Sequence, residues 1–194
     1  MTLARPREAA LHEAATRLFR QRGFHATSMQ DLAEDLGMNR GSLYHYIDAK
    51  DDLLWTIVSG AMTRLDASVR PILESADPVP DRLAGAIAAH LAFAAAHGDE
   101  LALVQIELRA LPAERRAALV AQRDAYEAAW REAIRHGVAD GSLRAVDVRL
   151  ASIAILSVCN WFTQWYRPDG ALGVPAVGRE FAGLFLDGLR EAGR

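Results

Sequence analysis

Apolar residues recur along this chain at intervals of three and four and almost nowhere in strict alternation. The pattern therefore predicts helices from end to end and no strand. The first stripe is Leu11, Ala14, Ala15, Leu18 and Phe19, one face of a helix over about 5–22. Gly23 follows as a left-handed cap, and Phe24 can fold back on the last turn. A second helix is predicted from Thr27, which has capping-box spacing to Gln30. Its buried stripe is Met29, Leu32, Ala33 and Leu36, and Gly37 ends it. Asn39 is a good N-cap for a short third helix reaching about Tyr46. Asp48 is the expected cap of a long fourth helix carrying Leu53, Leu54, Ile57, Val58, Ala61, Met62 and Leu65, bent or ended at Pro71.

A proline-rich, acidic loop over 75–80 separates this helix from a fifth over about 80–97 and a sixth over about 99–110. The seventh covers about 112–137, with Pro112 in its first turn. The eighth covers about 147–166 and the ninth about Pro175 to Ala192, bounded by the glycine-bearing breaks at 139–142 and 167–170. The ninth stripe is Val177, Phe181, Leu184, Phe185 and Gly188. The expectation is an all-α fold of about nine helices. A three-helix head over 1–50 precedes a larger helical body over 51–194.

Composition narrows the classes. Of 194 residues 51% are hydrophobic, enough for a substantial core. No apolar run reaches the roughly 18 residues that span a bilayer, and the start of the chain lacks a signal-peptide apolar core. The expected location is the cytoplasm. A single cysteine, Cys159, excludes an intrachain disulfide and a cysteine-rich metal site. The histidines are scattered. His90 and His97 share a helix face without a carboxylate–histidine ligand motif, and there is no phosphate loop. No enzymatic activity, resident cofactor or metal is expected.

The net charge of −3 at first argues against nucleic acid, but the balance is uneven. Residues 1–50 hold seven Lys/Arg against six Asp/Glu, leaving the rest acidic. A slightly basic head on an acidic body fits a DNA binder whose cations are placed rather than massed.

The second and third helices are joined only by Gly37-Met38, the short turn of a helix-turn-helix, which lays its second helix in the major groove. Arg40 and Lys50 each sit just inside a helix N-terminus, where a cation opposes the dipole at a cost of roughly 0.3–1 kcal/mol. A DNA phosphate would compensate both. The third helix carries Arg40, Gly41, Ser42, Tyr44 and His45, with only Leu43 plainly built for the core. Gly41 would let the backbone approach a duplex closely. The alternative is a solvated surface hairpin.

The stretch from Gly23 to Leu54 resembles the TetR family of transcriptional regulators. Such proteins read G-F-x-x-T-[ST]-x-x-x-[IL]-A-x-x-x-G and then G-x-[LIF]-Y-x-[YH]-F-x-[SN]-K-x-x-L. Here the same positions hold Gly23, Phe24, Thr27, Ser28, Leu32, Ala33, Gly37, Gly41, Leu43, Tyr44, Tyr46, Lys50 and Leu53, with Ile47 and Ala49 as departures. The resemblance covers about residues 10–54. It implies a repressor that binds operator DNA as a homodimer through its last two helices, about 147–166 and 175–192, and responds to a small effector. It also implies DNA contacts at Thr27, Ser28, Met29, Arg40, Gly41, Ser42, Tyr44, His45 and Lys50. Arg40 is the candidate guanine reader, since arginine bonds guanine bidentately.

Asn160, Trp161, Trp165, Tyr166, Pro168 and Gly170 form a second, shorter pattern. It resembles the TetR subgroup that controls fatty-acid, sterol-ring or aromatic-acid degradation and is released from DNA by acyl-CoA thioesters. A free lipophilic ligand (drug, fatty acid or steroid) is the alternative effector. An acyl-CoA needs an apolar wall and cations for its phosphates. Met62, Leu65, Phe93, Leu103, Ile106, Tyr126, Trp130, Asn160, Trp161 and Trp165 are candidate wall. Arg109, Arg115, Arg116 and Arg123 are candidate cations, unless they merely pair with Glu107, Glu114 and Glu127.

Overall fold

The computed structural model describes residues 4–189. They form nine α-helices and one 3-10 turn, with no strand among them: α1 Ala4–Arg22, α2 Met29–Asp35, α3 Arg40–Leu43, α4 Lys50–Leu73, α5 Val79–Ala96, α6 Gly98–Ile106, the 3-10 turn Leu108–Ala110, α7 Ala113–Asp140, α8 Val148–Trp165 and α9 Val174–Leu189. The last residues of the expected ninth helix, 190–192, lie outside the described residues. No single described helix is long and apolar enough to cross a membrane.

The described residues divide into two compact units, one holding 4–62 and 99–121 and the other 63–98 and 122–189. The first unit is built around α1. Leu11, Ala14, Ala15, Leu18 and Phe19 are buried as their spacing requires. Gly23 ends the helix at φ +86°, the left-handed conformation that glycine adopts without strain. Phe24 folds back so that its ring meets Phe19 edge-on at 5.2 Å. Leu32 and Ala33 of α2 and Leu43 of α3 complete this core.

Two helix starts differ from expectation. α2 is capped by Ser28, whose side chain accepts from the Asp31 N–H while the Asp31 carboxylate accepts from the Ser28 N–H. The expected box at Thr27 and Gln30 does not form, because Thr27 is buried and its hydroxyl donates to the Gly23 carbonyl at 2.9 Å. α4 begins from Ala49, whose carbonyl accepts from Asp52 N–H at 3.1 Å and Leu53 N–H at 3.3 Å, so Asp48 is not its cap. Asn39 does cap α3, accepting from Ser42 N–H at 2.8 Å.

The second unit is organised by α5, which buries Leu83, Ala86, Ile87, His90, Leu91 and Ala94 and packs on α8 and α9. Gly178 brings α9 close to it: a Cβ there would lie 3.5 Å from the Ala88 Cα. Arg82, almost wholly buried, stabilises the end of α4 by donating to the Leu73 carbonyl at 3.0 Å and the Ser75 carbonyl at 3.4 Å. These are carbonyls that a helix C-terminus leaves without intrahelical partners. Trp130 and Phe162 fill the centre with no exposed surface.

Candidate functional site

The hairpin of α2 and α3 turns at Gly37, φ +62°, where Met38 N–H bonds back to the Ala33 carbonyl at 2.8 Å. α3 is a single turn. Its continuation through Tyr46 is held by turn bonds from His45 to Ser42 (3.3 Å) and from Tyr46 to Leu43 (3.0 Å) rather than by helix. Leu43 points inward, fully buried. Arg40, Gly41, Tyr44 and His45 are exposed and Ser42 is half-buried. The Arg40 guanidinium reaches the Tyr44 hydroxyl at 3.1 Å and lies 5.7 Å from the ring centroid. An exposed arginine with only a phenol as partner keeps most of its five donors free. Ser28, also exposed, stands at the start of α2.

Three of the expected DNA contacts are drawn toward the protein interior. Thr27 and Met29 are buried at 1% and 8% exposure, so their side chains serve the core. Lys50 is half-buried, and its ammonium donates to the carbonyls of Phe24 and Thr27, both at 2.7 Å, while lying 4.3 Å from the Phe24 ring centroid. The cation at the start of α4 is thus compensated inside the protein, by two carbonyls and an aromatic face.

The 99–121 segment of this unit carries acids and bases that meet the head. Glu107 Oε1 accepts from the Phe24 backbone N–H at 3.0 Å. Arg115 pairs with Asp52, and Asp99 lies 3.7 Å from Arg20. Glu107 and Asp52 therefore take roles that spacing along α7 did not indicate. Arg109 and Arg116 are exposed, as is Ile106 at 50%, and among the described residues these two arginines have no carboxylate partner. Met62 and Leu103 are buried in the same unit.

In the second unit Leu65, Tyr126 and Trp130 are buried, Phe93 and Asn160 are half-buried, and Arg123 is exposed and without a carboxylate partner among the described residues. Trp161, 65% exposed, and Trp165, 41% exposed, face outward. They do not line the interior of this unit, because Cys159 and Phe162 occupy the inward positions of α8. Trp165 packs against Phe181 of α9 with ring centroids 6.1 Å apart, and Phe162 stacks on Tyr166 at 4.3 Å. Leu150, Ile153 and Leu184 add to this exposed apolar surface of α8 and α9.

A buried polar pair sits in the core of the second unit. His90 Nδ1 and the Tyr126 hydroxyl are 2.9 Å apart. His90 Nε2 and Trp130 Nε1 are buried without a hydrogen-bond partner. Burial pushes the His90 imidazole down to about 4, so it is neutral at ordinary pH. Burial also pushes the Cys159 thiol up to about 12, which leaves it inert. In the sequence His90 has no role beyond a shared face with His97. Its Tyr126 partner lies 36 residues away, a separation that no local pattern marks. Among the described residues no three His, Cys, Asp or Glu side chains gather to hold a metal.

Comparison with known proteins bears on both units. Residues 11–55 match the model of bacterial regulatory proteins, tetR family, and residues 76–189 match that of the tetracyclin repressor-like C-terminal domain. The chain is 30% identical over 185 residues to the HTH-type transcriptional repressor KstR2 of Rhodococcus jostii, covering 94% of this chain and 91% of that protein. It superposes on the TetR family regulator PfmR from Thermus thermophilus with a TM-score of 0.85 and 36% identity, over 93% of this chain and 99% of PfmR. It superposes on AibR, in complex with isovaleryl coenzyme A and operator DNA, with a TM-score of 0.83 and 27% identity, over 92% and 97% of the two chains.

Proposed function

This chain belongs to the tetR family of bacterial regulatory proteins, and from that premise we propose that it is an operator-binding repressor released by an acyl-CoA thioester. The observation that carries the DNA half is the exposed Arg40–Tyr44 pair on a hairpin whose Leu32, Ala33 and Leu43 are turned inward. Arg40, Gly41, Ser42, Tyr44 and His45 face the duplex. Ser28 is the contact at the start of α2. Arg40 reads a guanine edge, where a bidentate bond discriminates by about 1–3 kcal/mol. Thr27, Met29 and Lys50 act behind them by fixing the hairpin.

One such hairpin reads too few bases for specificity, so two copies act together on a two-fold operator. The exposed apolar residues of α8 and α9 supply the surface for that pairing. Leu184, 73% exposed, and Trp161 are the most solvent-facing of its large side chains.

The effector half is supported by the relative bound to isovaleryl coenzyme A and by the similarity to KstR2, a ketosteroid regulator in its Mycobacterium tuberculosis form. Arg123, exposed in the same unit as Leu65, Tyr126 and Trp130 and without a carboxylate partner among the described residues, suits the phosphates of coenzyme A. The buried Leu65, Tyr126 and Trp130 suit an acyl group. An effector that binds better to a conformation with wrongly placed heads weakens operator binding by linkage. α4 runs unbroken from Lys50 beside the hairpin to Leu65, and it is the element through which such a change travels.

The test is a release assay on the protein bound to a duplex that it has selected from a randomised pool. Isovaleryl-CoA and longer acyl-CoA thioesters are added, with free coenzyme A and the free acids as controls. Release by a thioester alone is expected. Release by a free acid, steroid or other lipophile, with no thioester active, would remove the coenzyme A assignment.

A further inference from the structure

Phe24 is gripped at both ends of its own backbone. Its N–H goes to Glu107 Oε1 at 3.0 Å, and its carbonyl to Lys50 Nζ at 2.7 Å. Its ring is buried, edge-on to Phe19 and beneath the same ammonium. The residue belongs to the turn that joins α1 to α2, and Lys50 holds the end of that turn too, at the Thr27 carbonyl. The next residue, Ser28, caps α2.

Glu107 comes from a distant stretch of chain. It sits 83 residues from Phe24, at the junction where α6 ends and the 3-10 turn begins. A carboxylate at a helix C-terminus opposes the dipole, so local rules do not explain it there. A backbone N–H that has no helical partner does. The Arg20–Asp99 and Arg115–Asp52 contacts show the same segment meeting the head at two further places. Neither touches the α1–α2 turn itself.

We propose that Glu107 is the positioning residue of the DNA-reading hairpin: through its bond to the Phe24 N–H, the α6 terminus fixes where α2 begins and hence how Arg40 and Tyr44 are presented. The proposal rests on the operator-binding reading above. The carboxylate touches no DNA. It holds one side of a turn whose other side is held by Lys50, and the hairpin's entry angle is set between the two. Losing the acceptor leaves the hairpin folded on its own core of Leu32, Ala33 and Leu43 but lets its start shift.

The test compares wild type with Glu107→Ala and Glu107→Gln. Operator affinity is read by fluorescence anisotropy on a duplex selected by the wild-type protein, and backbone protection by residue-resolved hydrogen exchange. Glu107→Ala is expected to weaken operator binding about tenfold, within the usual range for coupling between sites, and to speed exchange at the Phe24 amide while the Leu32 and Leu43 amides stay protected. Glu107→Gln keeps an acceptor oxygen and is expected to restore both to within about twofold of wild type. A Glu107→Ala protein with wild-type affinity, or with an unchanged Phe24 amide, overturns the proposal. So does a Glu107→Gln protein as impaired as the alanine variant. If Glu107→Ala does not fold, Glu107→Asp, one methylene short of the N–H, takes its place with the same expectations. A wild-type protein that selects no duplex would instead sink the operator-binding reading, and the exchange data would still report on the clasp.

Discussion

Arg40 and Lys50 carry the same charge at the same kind of position, the first residue of a helix, and the structure uses them in opposite ways. Lys50 is drawn inward onto two carbonyls and a phenyl ring, whereas Arg40 is left outside with only a tyrosine. Arg40→Ala is therefore expected to weaken operator binding by about 1–3 kcal/mol with an unchanged melting temperature. Lys50→Met should lower the melting temperature, since removing one partner of these part-buried charge-assisted bonds costs about 1–3 kcal/mol, and should weaken DNA binding as a consequence. Equal melting temperatures for the two variants would put Lys50 back on the DNA. The sequence marks both cations as misplaced but cannot say which has an internal partner, because Phe24 and Lys50 meet only through the tertiary fold. His90 makes a separate claim. Its folded pKa, about 4, lies below the ordinary 6.5. The unfolded chain therefore takes up the proton first, and stability is lost as pH falls from about 6.5 towards 4. The full loss is on the order of 3 kcal/mol from this group. Denaturant titrations at pH 7 and pH 4.5 should differ by less in His90→Gln than in wild type. An equal difference would show that the wild-type acid sensitivity comes from other groups.

At the scale of elements, α9 carries two apolar faces. Val177, Gly178, Ala182, Leu186 and Leu189 are buried against its own unit. Leu184 is exposed, and Phe181 and Phe185 are half-exposed. The stripe read from the sequence mixes the two, taking Val177 from one and Phe181, Leu184, Phe185 and Gly188 from the other. The apolar arc of this helix is so wide that its period alone does not say which part of it meets its own unit. The α1 stripe, facing one core, was legible residue by residue, and every residue of the α4 stripe is buried as read. Leu184→Glu is expected to leave the helical circular dichroism unchanged and convert a dimer to a monomer in sedimentation velocity. A dimer that survives both Leu184→Glu and Trp161→Glu would move the interface off α8 and α9. Glycines separate in the same way. A Cβ at Gly137 would lie 2.7 Å from Leu143 side-chain carbons and 2.8 Å from Val79, whereas one at Gly178 makes ordinary contact. Gly137→Ala should cost about 1–3 kcal/mol by overpacking. Gly178→Ala should be neutral or slightly stabilising, since alanine outranks glycine in a helix by about 1 kcal/mol.

At the scale of the whole molecule, local pattern and long-range contact divide the information. Helix number, the hairpin turn at Gly37 and the family were written in the order of residues, because caps, glycine conformations and helical stripes act over a few positions. The grouping of residues 99–121 with residues 4–62 was not. It depends on pairs such as Glu107 with Phe24, 83 residues apart, and Arg115 with Asp52, 63 apart. The same limit kept the His90–Tyr126 pair out of sight.

The most direct test of the account is selection of duplexes from a randomised pool by the wild-type protein and by Arg40→Ala, followed by sequencing. The account predicts that wild type enriches an inverted repeat, the signature of two hairpins on a two-fold operator, with a guanine in each half-site whose enrichment is lost in Arg40→Ala. A pool left unenriched by the wild-type protein, or an enriched motif identical for the two proteins, would contradict it.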